Sequence, residues 1–474
     1  MTLIHILIFS ATILVHRLLL RSWKREGLLL IASVLAVFWL QPALPIRGLD
    51  FWLPLAMLAI ACFSWAITCP AEQRWNRDNK KTLTLLGAVI MALALTRYLS
   101  VTGILTPSRP PQALPVLVTL AGIGLVIGFL SLPRRNLPLM GTFAIVFLMF
   151  LFAALKLPAL TAWVSTQLRH LTGQDTALAS ALDIRWLGFS YVAFRLIHTI
   201  RDRQSGKLAA YNLREYLTYI IFFPAFTAGP IDRIERFVRD LRQPGSLDAE
   251  PFMDGGKRLA IGLFKKFVLA DSLALIALNP VNAGQAREGG WLWLMLYAYA
   301  FQLFLDFSGY TDIAIGLARW LGIQLPENFK RPYLMPNLTQ FWNNWHMTLT
   351  QWFRTYYFNP MTRALRSAEK PLPGWIALFF TQLSTMVLIG LWHGISWNFV
   401  LWGAWHGLGL FIQNRWSEWI KPRAAPLEAH PRIRFALNGV NILLTFHFVA
   451  LGWLWFALPE PAQALQALGR LFGA

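Results

Sequence analysis

Apolar residues run along this chain in blocks of about 20, separated by short stretches rich in lysine and arginine. A block of that length is what an α-helix needs to cross the hydrocarbon of a bilayer. Six blocks precede residue 160, at about 2–20, 27–46, 51–69, 82–100, 113–132 and 137–155, and a seventh covers about 182–200. Later ones fall at about 259–280, 291–317, 373–392 and 396–413. Residues 216–230 are apolar too, but Pro224, Gly229 and Pro230 break them. Lipid offers no partners to exposed backbone groups, so such a segment reads as a re-entrant or partial helix enclosed by protein. The pattern predicts an all-α polytopic membrane protein of roughly 11 transmembrane helices plus re-entrant or partial ones. No stretch is long enough to fold alone in water.

Charge orients these spans. Basic residues occupy every second early connection: Arg17 to Arg25, Arg74 to Lys81, then Arg134 with Arg135. An excess of Lys and Arg marks cytoplasmic loops, which puts the N-terminus outside; the expected location is the cell inner, cytoplasmic membrane. The first block carries its charges after it, the wrong order for a cleaved signal peptide. Arg201, Arg203 and Lys207 follow the seventh block, and Arg233 to Arg242 form the next cytoplasmic segment.

Composition agrees, with 56% hydrophobic and 14% charged residues among 474, against roughly 25% charged in soluble domains. The net charge of +20 is explained by those loops, so nucleic acid is not an expected partner. The two cysteines, Cys62 and Cys69, lie in one apolar block and support neither a disulfide framework nor a metal site. The chain has no Gly-x-x-x-x-Gly-Lys-Ser/Thr loop, which speaks against ATP-driven transport.

Ionisable side chains at membrane depth are costly and mark functional positions or internal pairs. Arg195, His198, Asp306, Asp312, His393 and His406 are the candidates. His198 directly precedes a basic loop and reads as a side chain reaching for the interface. Asp306, Gly309, Asp312, Ile313 and Gly316 share one helix face, with Arg319 two turns past Asp312, and suit structural ion pairing at a close helix approach. Residues 319–370 mix aromatics with Arg331, Arg354, Arg363 and Arg366, as at a cytoplasmic interface, and hold His346. The blocks at 373–392 and 396–413 form a hairpin whose tip, Trp392-His393-Gly394, points away from the cytoplasm. Chemistry alone leaves His393 open between general base and helix-to-helix hydrogen bonding. It likewise leaves His346 between a functional and an anchoring role.

Several stretches carry a resemblance: FFPAFTAGPIDRIERF at Phe222 to Phe237, DFSGYTDIAIG at Asp306 to Gly316, LPENFKRPYL at Leu325 to Leu334, FWNNWHMTLTQWFR at Phe341 to Arg354, LWHGISWNFVLWGAWHG at Leu391 to Gly407 and LGWLWF at Leu451 to Phe456. In order and spacing they resemble the membrane-bound O-acyltransferases, in the bacterial branch of alginate O-acetyltransferases and teichoic-acid D-alanyl transfer proteins. The resemblance covers residues 185–456 and implies a single acyltransferase domain over 1–474, with helices around a central tunnel and 1–180 as peripheral spans. It implies that His393 is catalytic and that His346 is a second functional position at the cytoplasmic mouth of the tunnel. Trp392, Asn398, Trp402, Trp345, Asn344, Asp312 and His406 are expected to line the path. Asn398 is expected either to donate to an oxyanion or to cap a helix. Asn344 stands where the family usually has Arg before Trp-His, and Thr355 where Asp or Glu is common.

The implied reaction takes an acyl group from a cytoplasmic thioester, acetyl-coenzyme A or an acyl carrier protein, to an extracytoplasmic hydroxyl. No bound cofactor is expected. The expected partners are membrane lipid, the donor thioester or its carrier protein, and a hydrolase-like protein outside that completes transfer to a polysaccharide. The rival readings are a flippase for a lipid-linked glycan, which breaks no bond, and a scaffold for a secreted hydrolase.

Overall fold

The computed structural model describes residues 2–19, 25–99, 105–130, 137–243, 249–286, 288–428 and 430–473. The basic residues Arg21, Lys24, Arg134 and Arg135, used above to orient the chain, lie outside the described residues. The protein is 78% helical with no strand among the described residues, as the apolar pattern requires of a multi-pass membrane protein.

Among the described residues five helices are long and apolar enough to span a bilayer: Leu49–Thr68, Arg77–Tyr98, Ala113–Leu130, Gly374–His393 and Pro431–Ala457. The pair Pro138–Ala154 and Pro158–Leu171, bent by 91°, makes a sixth if counted as one span. Leu3–Val15 and Glu26–Leu40 are apolar but shorter. The expected count of roughly 11 is thus not reached by length and hydropathy alone. Part of the difference has a plain cause: Phe189–Gln204 carries an Arg, a His and a charged last turn along a largely buried helix, and a helix walled by protein need not be apolar all round. The span at Pro431–Ala457 is absent from those expected above.

Backbone contacts divide the chain into two compact units, Met1–Leu259 with Ala314–Leu325 and Ala260–Ile313 with Pro326–Ala474. In the first, the broken segment is enclosed by protein as predicted: helix Leu213–Ile220 gives way to a single turn at Phe223–Ala225, and Tyr216 through Phe226 are buried. Its loose carbonyls have a dedicated donor. Arg195, 2% exposed, donates to Ile220 O at 2.8 Å and Ala225 O at 2.9 Å, supplying the partners that a broken helix lacks. His198 does not reach for the interface. It is buried, its Nδ1 is 3.1 Å from the Tyr219 hydroxyl and its Nε2 is 3.1 Å from Asp202 Oδ2. An internal hydrogen-bonding partner removes the need for water.

In the second unit the expected face of Asp306, Gly309 and Asp312 meets another helical segment, Ala249–Phe264 continued by a wider, π-type turn at Lys265–Ala270. A Cβ at Gly309 would lie 2.9 Å from Gly262 O and 2.9 Å from Lys266 N, so only glycine permits this crossing. One turn to either side of Gly309, the two acids are paired: Asp312 with Lys265 at 2.7 Å, and Asp306 with Lys266. The ion pairing expected here is present, but its cations are these lysines. Arg319, which belongs to the first unit, pairs with Asp254 of that same unit.

The hairpin predicted around residues 392–396 is the other organising element. Helices Gly374–His393 and Trp397–Glu428 lie backbone against backbone. A Cβ on Gly403 would be 2.5 Å from Met386 O and 2.5 Å from Val387 Cα, one on Gly407 2.8 Å from Leu383 Cα, and one on Gly390 would overlap Phe399 O. Gly403 and Gly407 form the small-xxx-small spacing that lets two helices approach in lipid. Gly403→Val should therefore cost about 1–3 kcal/mol of stability and lower the melting temperature in detergent. Gly439→Ala, at a helical glycine with nothing within 4 Å of its Cβ direction, should be neutral or slightly stabilising.

Candidate active site

The site lies wholly in the second unit. His393 is the last residue of helix Gly374–His393, and Gly394 leaves the helix in extended conformation. The ring is half-buried, and its neighbours at the tip, Ser396 and Trp397, are exposed. Four aromatic rings surround it: Trp392 at 4.6 Å between centroids, Phe456 at 4.8 Å, Trp402 at 5.6 Å and Phe399 at 5.9 Å.

Two of these rings lead to other histidines. The edge of Trp392 also meets His346, at 6.0 Å, and Trp402 meets His406 at 5.0 Å. The three histidines are thus strung on two tryptophans, in the order His346, Trp392, His393, Trp402, His406. Trp345 joins the same network through Trp453, at 5.3 Å, which stacks on Trp402. Of the residues expected to line the path, Trp392, Trp402, Trp345 and His406 are brought together with both expected catalytic positions. His406 needs a glycine beside it, because a Cβ at Gly452 would sit 2.8 Å from its Nε2. That accounts for Gly452 in the LGWLWF stretch.

The remaining three candidates are engaged elsewhere. Asp312 is paired with Lys265. The Asn344 amide donates to Gln340 O at 2.8 Å and lies 3.4 Å from Met335 Sδ. Asn398 is not the residue preceding its own helix, which starts at Trp397; its amide donates to the carbonyl of Leu458, at the C-terminal end of the short helix Leu454–Ala457. Its capping therefore serves another helix. Sequence spacing had no means of showing that partner, 60 residues away.

His346 is 3% exposed and stands between the short helices Leu338–Asn344 and Met347–Phe353. Its φ of 42° and ψ of 52° are left-handed, a conformation few non-glycine residues adopt, though histidine is among those enriched in it. Phe307 packs edge-on to its ring at 4.7 Å. Neither ring nitrogen hydrogen-bonds another described residue. Buried polar atoms in that state are expensive and call for an explanation. Burial pushes the imidazole down to a pKa of about 3, so at neutral pH the ring is uncharged, able to accept a proton or a hydrogen bond.

No metal was expected from the sequence. Among the described residues one group, His198, Asp202 and Glu235, has metal-capable atoms within 4.8 Å of one another. It belongs to the first unit, where His198 already bonds Tyr219.

The buried neutral ring has a stability consequence. The unfolded chain takes up a proton at His346 below the ordinary pKa of about 6.5, while the folded ring refuses it down to about 3. Stability from this group is complete above 6.5 and falls as the pH drops, by up to about 1.4 kcal/mol per pH unit. Melting of the purified protein between pH 7 and pH 5 should thus fall more steeply in the native chain than in His346→Gly, a variant that keeps the left-handed backbone accessible. Equal slopes would contradict this.

Comparison with known proteins agrees with this architecture. The model of MBOAT, the membrane-bound O-acyltransferase family, matches residues 127–454. The chain is 32% identical to the "Teichoic acid D-alanyltransferase" of Streptococcus thermophilus over 285 residues, 58% of this chain and 68% of that one. It is 34% identical to the "Probable alginate O-acetylase AlgI" of Pseudomonas syringae pv. tomato over 289 residues, 61% and 51% of the two chains. It is 31% identical to the "Peptidoglycan O-acetyltransferase" of Helicobacter pylori over 263 residues, 55% and 46%. The match thus spans about half the length of the latter two relatives. With two thirds of its length inside the family model, this chain belongs to the membrane-bound O-acyltransferase family.

Proposed function

We propose that the protein moves an acetyl- or D-alanyl-type acyl group from a thioester on the cytoplasmic side to a hydroxyl on an extracytoplasmic cell-envelope polymer or partner protein. His393 acts as general base. The observation that carries this reading is the placement of His393 at a half-buried hairpin tip, joined through Trp392 to the buried His346. One imidazole stands beside exposed residues, where an acceptor arrives. The other is enclosed, where a donor carbonyl is shielded from water.

The chemistry balances without a nucleotide. His393 takes the proton of the acceptor hydroxyl as its oxygen attacks the thioester carbonyl; the carbon–sulfur bond then breaks, and the thiolate leaves with that proton. Enclosure by aromatic rings lowers the local dielectric, which strengthens each hydrogen bond to the developing oxyanion. His346, neutral and with neither ring nitrogen bonded to another described residue, orients the donor. The name of the streptococcal relative favours a D-alanyl group, and those of the alginate and peptidoglycan relatives favour acetyl. Acetyl-coenzyme A and a carrier-bound acyl group are the two candidate donors. An extracytoplasmic hydrolase-like partner that completes transfer, an inner-membrane location and an N-terminus outside belong to the same reading, which treats residues 1–474 as one acyltransferase domain with its core in 185–456.

Protein reconstituted in liposomes and offered labelled acetyl-coenzyme A or labelled carrier-bound acyl thioester tests it. His393→Ala should lower thioester turnover by roughly 100- to 10,000-fold with an unchanged melting temperature. Equal turnover by native protein and variant for every donor would refute the assignment. Movement of a lipid-linked glycan without thioester loss would establish the flippase instead.

A further inference from the structure

His346 holds a left-handed backbone, neither of its ring nitrogens bonds another described residue, and the segment opposite supplies a restraint. Asn328, fully buried, grips the two residues after His346 at three points. Its carbonyl accepts from Met347 N at 2.9 Å. Its side-chain Oδ1 accepts from Thr348 Oγ1 at 2.6 Å and from Thr348 N at 3.3 Å. A fourth bond runs the other way, two residues to each side: Lys330 N donates to Asn344 O at 3.0 Å. The segments 328–330 and 344–348 are therefore laced together around His346.

These bonds compensate for an unfavourable conformation. A residue in the left-handed region persists only where its surroundings over-determine it, and here the over-determination comes from one asparagine side chain and the main chain beside it. Fixing Met347 and Thr348 fixes where the Cα–Cβ bond of His346 points, and hence the approach of its ring to Phe307 and Trp392. Since Oδ1 is committed to Thr348, Nδ2 is the atom left over, and it meets no partner among the described residues. An apolar residue would avoid that cost. Asparagine at this position makes sense as the price of holding the loop.

We propose that Asn328 and Thr348 form a positioning clamp for His346, setting the orientation of that ring for acyl transfer. The inference rests on the reading of His346 given above. Thr348 is the better probe, because Thr348→Val keeps the shape and the main-chain N–H and removes only the hydroxyl, while Thr348→Ser restores the hydroxyl.

Two readouts separate the clamp from the catalytic reading. The first is structural: reaction of His346 with diethylpyrocarbonate, followed by peptide mass, in full-length protein of unchanged melting temperature. Modification should be several-fold faster in Thr348→Val than in native protein or Thr348→Ser. The second is kinetic, by a double-mutant cycle. Thr348→Val should lower kcat/KM for the thioester by about tenfold, the scale of one lost hydrogen bond. It should cause no further loss in a His346→Gly background, because residues acting through one another are not additive. Equal losses in both backgrounds, or unchanged modification of His346, would overturn the clamp. Faster modification in Thr348→Val alongside full activity of His346→Gly would uphold the clamp as a device that orients the ring, and would remove His346 from the proposed mechanism.

Discussion

The aromatic layer around His393 rests on how closely two helix backbones approach. In lipid the hydrophobic effect gives helices no reason to associate, so packing and interhelical hydrogen bonds must do so. Gly390, Gly403 and Gly407 bring helices Gly374–His393 and Trp397–Glu428 into main-chain contact. At that distance the side chains on the flanks of the seam are forced into one layer. Trp392 and His393 come from one helix, and Phe399, Trp402 and His406 from the other. Their ring contacts follow from the glycine seam rather than from any attraction among themselves, since an aromatic pair contributes only about 0.5–1.5 kcal/mol beyond its area.

The same device recurs at the crossing of Gly309 with Gly262, with a different purpose. There the seam is flanked by charges, and a lysine reaches an acid on each side of it. Two consecutive lysines on a regular α-helix project about 100° apart. The wider turn at Lys265–Ala270 belongs at this point, because it redirects the register where both must reach one partner helix. Charges held this way are paired, which answers the desolvation cost that would otherwise exclude them from a membrane protein. This arrangement also explains what the sequence could and could not reveal. The i, i+3, i+6 face of Asp306, Gly309 and Asp312 was readable from spacing. Its cations, 40 and 47 residues distant, were not, and the nearest basic residue on the same helix, Arg319, was a misleading choice.

A similar division holds elsewhere. The hairpin tip at His393 was legible because Trp-His-Gly interrupts two apolar runs, and the broken segment at 216–230 because its prolines and glycine interrupt a third. The span count was less legible. Hydropathy registers what faces lipid, and helices such as Phe189–Gln204 are largely buried and hold charged groups inside protein. His198 shows the same limit on the scale of one residue: its place before a basic loop pointed outward, whereas Tyr219, 21 residues on, offers a hydroxyl inside. The roles of Asn398 and Asn344 depended on acceptors that periodicity does not encode.

The distribution of satisfied and unsatisfied polar groups gives the clearest argument for where chemistry belongs. Arg195 and Asn398, deeply buried, donate to carbonyls that helix ends leave open, and such residues hold a fold together. His346 and His406 are buried just as deeply, yet no ring nitrogen of either meets a partner among the described residues. Both lie one tryptophan away from His393. Leaving these open gains nothing in stability, since an unpaired buried polar group costs about 1–3 kcal/mol. Their clustering around a single half-buried histidine marks this aromatic layer as the candidate site.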